Sequence, residues 1–339
     1  MPDFDVYTSS DGTVSKYAHE DGSETAIKLP LSVQSVLNPL TRQIDVHSSD
    51  RNKFSVFISA SVGCYMRCPF CHLTLKNARY RPLTSDGVLA NLKEALLHKL
   101  QETPELRSKY IKLSWMGMGD AVNQPGLVVD VTLAFLDWVM ENGFAKGVDG
   151  VDLSTVLPPV NPDWVTQFQS LDAMLAKYPS NPVHAMDNVA YSSGEYRRRT
   201  PFRLFYSVHS AIQVGRDKTV PGALPLVLAI PLLQQFVSGG SHTLVLHHLL
   251  VDGLNDSEPE LVALANLVNL SFPKQELRLL RYNFCAKSCY KESETFLRQA
   301  QWLSDNVPFL KVQVSPGAEV SAACGQFIVK LMAKPKARS

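Results

Sequence analysis

Three cysteines stand close together in the run Cys64-Tyr65-Met66-Arg67-Cys68-Pro69-Phe70-Cys71, a C-x3-C-x2-C spacing. The chain has six cysteines among 339 residues, so a given cysteine has a chance on the order of 0.0004 of finding partners at both spacings. Thiols so placed hold metals, and three chemistries compete. Cys68 to His72 also reads C-x-x-C-H, the attachment pattern of c-type haem, but that reading leaves Cys64 unexplained and belongs to exported chains. A zinc site needs four ligands, and the fourth has to come from a distant part of the chain. An iron–sulfur cluster on three protein thiolates keeps one iron open. That suits a cluster which binds a substrate.

Other chemistry-bearing residues are scattered along the sequence. Gly117-Met118-Gly119-Asp120 is a glycine turn ending in a carboxylate; such a turn lets a backbone come close to a ligand, and is also common as an ordinary turn. Ser154-Thr155, Ser207-Val208-His209 and the stretch Asn283 to Cys289 offer hydroxyls, an imidazole, an amide and two thiols, Cys285 and Cys289. Cys324 lies in Ala322-Ala323-Cys324-Gly325-Gln326. A lone cysteine among small residues is ordinarily a buried apolar filler.

The elements that must position these residues alternate in type. Strand-length apolar runs fall at 54–60, 110–116, 150–154, 202–208, 242–249 and 276–282, with helical periodicity near 86–101, 126–142, 161–177, 222–236, 257–270 and 291–305. Six β-then-α units in succession predict a parallel sheet, either doubly wound or an incomplete (β/α)6 barrel. In both, ligands bind in the loops after the strands' carboxyl ends. The unusual residues fall there: the cysteine cluster after the first strand, Gly117 to Asp120 after the second, Ser154 at the end of the third, His209 at the end of the fourth and Asn283 after the sixth. Before this rhythm begins, residues 13–48 read as short strands, Val14 to His19 and Thr25 to Leu29, around an Asp21-Gly22 turn.

These residues and their order resemble the radical SAM superfamily, and within it the RlmN/Cfr-like RNA adenine methyltransferases. The likeness rests on the cysteine spacing, on Trp115 to Asp120 against MGMGE, on Ser154-Thr155 against STSG, and on Ser207 to Ser210 with Arg216, Val220 and Pro221 against SLHA…R…VP. Gly253 to Asp256 resembles the family's VND turn, Leu280 to Asn283 its IRYN, and Ala322 to Gln326 its AACGQ. The resemblance covers about residues 50–330. It implies an incomplete (β/α)6 barrel, a [4Fe–4S] cluster on Cys64, Cys68 and Cys71, and S-adenosylmethionine (SAM) bound through Phe70, Gly117, Gly119, Asp120, Ser154, Ser207, His209 and Asn283. It further implies reductive cleavage of SAM to methionine and a 5′-deoxyadenosyl radical, and relay of a methyl group through Cys324 to an adenine carbon of RNA. The alternatives are a radical SAM enzyme acting by hydrogen abstraction without that relay, and a non-enzymatic iron–sulfur or zinc protein.

The sequence also departs from the family. A second relay cysteine stands seven residues before the first cluster cysteine in the family; here that position is Phe57, which can neither take a proton nor form a disulfide. Cys285 or Cys289 is the candidate replacement. The family's helical RNA-binding domain has no counterpart among the first fifty residues, so the expected organisation is a β-rich extension (1–50), the partial barrel (51–320) and a Cys324 segment with a basic tail (321–339). Lys76, Arg79, Arg81, Arg197 to Arg199 and the tail from Lys334 to Arg338 are the local basic clusters. Overall charge is near balance, +1, so it neither demands nor excludes a nucleic-acid partner. Apolar content of 45% supports a sizeable core. No signal-peptide pattern opens the chain, and the apolar run Leu224 to Leu233 is short and broken by proline. The expectation is a cytoplasmic monomer, off the membrane, acting on RNA with electrons from a donor such as flavodoxin or ferredoxin.

Overall fold

The computed structural model describes residues 4–29, 36–37, 44–45, 52–181, 202–238, 242–283 and 289–313. Ten strands form one sheet in strictly sequential order: β1 (Phe4–Thr8), β2 (Val14–His19), β3 (Glu24–Lys28), β4 (Lys53–Phe57), β5 (Tyr110–Trp115), β6 (Gly147–Thr155), β7 (Phe202–Ser207), β8 (Thr243–Leu249), β9 (Glu276–Leu280) and β10 (Leu310–Gln313). Pairing is antiparallel from β1 to β4 and parallel from β4 to β10. Among the described residues, six helices of eleven residues or more return the chain between successive parallel strands: α1 (Ser85–Glu102), α2 (Pro125–Glu141), α3 (Trp164–Leu175), α4 (Leu226–Val237), α5 (Glu258–Ser271) and α6 (Phe296–Asn306). Each β-then-α unit is one of the six expected, and the sheet is open, with β1 and β10 at its edges. This is an incomplete barrel.

The strand sequences explain which face the helices cover. Side chains alternate across a strand, so Ile111, Leu113 and Trp115 of β5 share a face with Phe202, Leu204 and Tyr206 of β7 and with Leu277 and Leu279 of β9. All are buried in the main apolar core beneath the helices. The opposite, inner face carries Lys112, Asp152, Arg203, His247, Glu276 and Arg278, a set of polar and charged groups that the apolar-run reading of these strands did not anticipate. A bulge between Val148 and Gly150 turns Asp149 inward to Lys53 (3.5 Å) and to the Asn181 amide (2.7 Å).

Other differences are local. The seventh parallel strand, β10, is too short and too exposed (LKVQ) to give a sequence signal. Helix α4 starts at Leu226, later than the expected 222, because Pro225 fixes an extended backbone there. Helix α1 starts where Thr84 caps it, accepting a hydrogen bond from the Gly87 amide. The N-terminal strands are sewn to the parallel sheet by the β3–β4 pairing. None of the described helices is long and apolar enough to cross a membrane.

Candidate functional site

The cysteine loop is built on the end of β4. Residues 58–61 run beside the turn that follows β5: Gly117 N donates to Ile58 O (3.0 Å), Met118 N to Ser59 Oγ (3.1 Å) and Ala60 N to Met118 O (2.9 Å). Ser59 in turn donates to Glu24 O of β3 (2.6 Å). The two glycines are required by this closeness. A Cβ on Gly117 would meet Ile58 O at 2.7 Å, and one on Gly119, where φ is +84°, would lie 2.0 Å from Ser61 Oγ. The glycine turn therefore locks the cysteine loop to the second parallel strand.

Beyond it, Cys64, Cys68 and Cys71 are in no disulfide, each part-buried. Burial pushes the Cys64 thiol up to about 12, with Asp120 and Cys71 adding repulsion. Burial, then Cys71 and Cys64, pushes Cys68 well above its ordinary value. Cys64 and Cys68 are each pushed up by burial and by the neighbouring thiols, and ionising them together calls for a cationic centre. No three His, Cys, Asp or Glu side chains among the described residues converge on a single ion. Three thiols on one short loop are a donor set that a cluster, whose thiolates bind separate irons, would fit.

Asp120 does something the sequence did not disclose. It is 6% exposed, and its two oxygens accept hydrogen bonds from the Thr155 hydroxyl (2.8 and 2.9 Å), Val156 N (2.9 Å) and Val122 N (3.1 Å). Burial raises its carboxyl to about 6 against the pull of these donors. The carboxylate ties the second parallel strand's turn to the end of the third. Ser154 and Ser207, at the ends of β6 and β7, have their hydroxyls 3.5 Å apart.

The next rim segment is held by two side chains noted in the sequence only through the family likeness. Arg216, 1% exposed, donates to Val156 O (2.6 Å), to Ser207 O (3.2 Å) and to Val208 O. Asn255 donates to His209 O and to Leu249 O (2.7 Å) and accepts from Val251 N (2.8 Å). Between them His209 adopts a left-handed φ of 53°. Its ring meets Phe70 edge to face at 5.2 Å. Burial, with His248 and Arg216 nearby, holds the imidazole neutral, and its Nδ1 has no partner among the described residues. Phe70 itself packs on Leu249, Val251 and Leu280 with Tyr282, so the cluster loop reaches the ends of β8 and β9. Asn283 follows Tyr282, part-buried.

The structure thus gathers Cys64, Cys68, Cys71, Phe70, Gly117, Gly119, Asp120, Ser154, Ser207 and His209 on the carboxyl rim of β4 to β7. Phe57, like Cys64 and Cys71, packs on the small buried cluster of Val14, Ala26, Leu73 and Met118, and the Lys28 ammonium sits 4.1 Å over its ring. Cys289 is exposed. Cys285, Cys324 and the triplet Arg197 to Arg199 lie outside the described residues.

No protein-family model matches the chain. Curated relatives do. A probable dual-specificity RNA methyltransferase RlmN 3 of Opitutus terrae is 25% identical over 292 residues, covering 83% of this chain and 67% of that one. The dual-specificity RNA methyltransferase RlmN of Campylobacter concisus is 25% identical over 324 residues, covering 94% and 73%. Among solved structures, a radical SAM methyltransferase from Sphaerobacter thermophilus superposes with a TM-score of 0.64 over 96% of this chain and 81% of its own, at 19% identity. The sequential partial barrel described above is the fold of that protein.

Proposed function

We propose that this chain, a divergent RlmN/Cfr-like member of the radical SAM superfamily, is an RNA methyltransferase acting on an adenine carbon. One observation carries the reading: three thiols outside any disulfide share a rim with the glycine turn, Ser154, Ser207 and His209, in a chain 25% identical over 292 residues to an RlmN relative. Cys64, Cys68 and Cys71 would hold a [4Fe–4S] cluster, which when bound supplies the electron for reductive cleavage of SAM. The remaining contributions are the chain's own. Phe70 and neutral His209 present an apolar edge and a polar ring at the end of β7. Ser154 and Ser207 offer hydroxyls beside them, while Asp120, Arg216 and Asn255 keep the strand ends in register. Cys324 is the thiol assigned to carry the methyl group, and Cys285 or Cys289 stands in for the thiol absent at Phe57. A flavodoxin- or ferredoxin-type protein in the cytoplasm would deliver the electron.

Phe57 favours a second reading, hydrogen abstraction without the methyl relay. The family's thiol position is filled by a ring under Lys28, and that ring packs on the same small apolar cluster as Cys64 and Cys71. The two readings part on one peptide. In anaerobically reconstituted protein, SAM is expected to yield 5′-deoxyadenosine on reduction. Mass spectrometry is expected to find Cys324 S-methylated after incubation with SAM. An unmethylated Cys324 under those conditions, with 5′-deoxyadenosine still formed, selects the second reading.

A further inference from the structure

The cysteine loop has an outer surface that the chemistry above does not use. Tyr65 and Tyr80 are 37% and 38% exposed, and their rings meet edge to face at 5.1 Å and 90°. They come from two segments held side by side. Ser61 and Val62 pair antiparallel with Arg81 and Pro82, and Gly63 lies so close to residue 79 that a Cβ there would be 2.4 Å from Arg79 O. The Tyr65 hydroxyl donates to Asn123 Oδ1, which fixes the ring to the rim after β5. Arg67 and Arg79 are exposed, and neither guanidinium has a hydrogen-bond or ion-pair partner among the described residues. Arg67 is held at a left-handed φ of 54° between two cluster cysteines. Arg81 closes the patch by donating to Asp21 O in the β2–β3 turn.

Exposed aromatic rings cost water-facing apolar area, and unpaired arginines beside them leave a concentrated positive field. Rings interleaved with guanidiniums are the chemistry that holds unpaired nucleic acid, because every base offers a π face and every linkage a phosphate. We propose that Tyr65, Tyr80, Arg67 and Arg79 form a platform for a single-stranded stretch of RNA, the tyrosines stacking on bases and the arginines meeting phosphates. The proposal rests on the RNA-directed reading above and deepens it. It gives the chain an RNA contact on the barrel itself, directly over the cluster loop, and the N-terminal hairpin marks the platform's edge through the Arg81–Asp21 contact.

The test uses the full reconstituted chain and a fluorescein-labelled, unstructured RNA dodecamer, with affinity read by anisotropy across a salt series. Tyr65→Ala with Tyr80→Ala is expected to weaken binding at least about 30-fold, the lower bound for two stacked bases. Tyr80→Phe, which keeps the ring, is expected to retain it. Tyr80→Ala alone leaves the Tyr65–Asn123 bond in place, so it serves if the double variant does not fold. Arg67→Ala with Arg79→Ala is expected to lower the slope of log affinity against log salt by about 1.4, two single-strand phosphate contacts. Formation of 5′-deoxyadenosine in the absence of RNA is expected to be unchanged in the tyrosine variants. Wild-type affinity and slope in all of the alanine variants would overturn the platform while leaving an RNA substrate standing. No RNA binding by the wild-type chain at low salt would overturn both. If the arginine variant binds RNA normally but its cluster is reduced more slowly by flavodoxin, the surface belongs to an acidic electron carrier and the platform is refuted.

Discussion

At the scale of single residues, what a side chain could do and what it is engaged in doing are separate matters, and Asp120 shows the difference. A carboxylate after a glycine turn reads as a ligand for a substrate amine. In the fold its oxygens are taken by Thr155, Val156 and Val122. Asp120→Asn puts an amide donor against one of these donors and is expected to cost about 1.5–3 kcal/mol, with Asp120→Ala at least as severe. The expected signature is a lower thermal midpoint of the reconstituted protein. Asp120→Glu, one methylene longer, is expected to lose the bond to Thr155 and to rescue neither variant. If Asp120→Asn instead leaves stability intact and weakens only SAM binding, the carboxylate is a ligand after all. The cysteines were legible because three identical rare residues at fixed spacing are a signal in themselves. The role of Asp120 was hidden, since Thr155 and Val156 lie about 35 positions downstream and only strand pairing brings them near.

At the scale of elements, the rim depends on two stitches. The first is the glycine turn against residues 58–61. Gly119→Ala must place a Cβ where Ser61 Oγ now lies, at a φ that costs about 1–3 kcal/mol for any other residue. It is expected to disorder the path to Cys64, so that the variant binds less iron on reconstitution as well as melting earlier. The second stitch is Asn255, whose amide serves the backbone of His209, Leu249 and Val251. Asn255→Ala leaves three backbone groups to find other partners, at about 1–3 kcal/mol for each that stays buried and unpaired. Iron content is expected to hold in that variant while SAM affinity falls, because His209 loses its anchor and the cysteines do not. The order and kind of the elements were readable from periodicity, since all six strands and helices expected after residue 50 occur. Their ends were less so. The bulge at Asp149 and the strand β10 arise from pairing with neighbours, which a local pattern does not carry.

At the scale of the whole molecule, the inner face is a charged lattice set against an apolar outer one. Lys112 and Arg203 both meet Asp152, at 2.5 and 2.7 Å, while Arg278 and Lys311 both meet Glu276. Apolar runs in the sequence concealed this because each strand contributes only one or two such groups. Burial alone would raise the Asp152 carboxyl, yet Arg203 and Lys112 hold it down at about 2. Burial drives Lys112 down to about 8, with Asp152 resisting. Asp152→Asn would leave two cations facing one amide and is expected to cost about 3–5 kcal/mol near neutrality. The sign of its pH dependence follows from Lys112. A lysine whose folded value lies below its unfolded value of about 10.4 binds fewer protons folded than unfolded, so stability climbs as pH rises through that interval. In the wild type the climb starts near pH 8. Without the carboxylate, Lys112 gives up its proton earlier, and the climb in Asp152→Asn is expected to begin below pH 8. Urea midpoints measured from pH 6 to 9 are therefore expected to converge as pH rises, with the variant recovering part of its deficit. A deficit that stays constant across that range would mean that Lys112 keeps its proton without Asp152 and that Arg203 alone bears the loss.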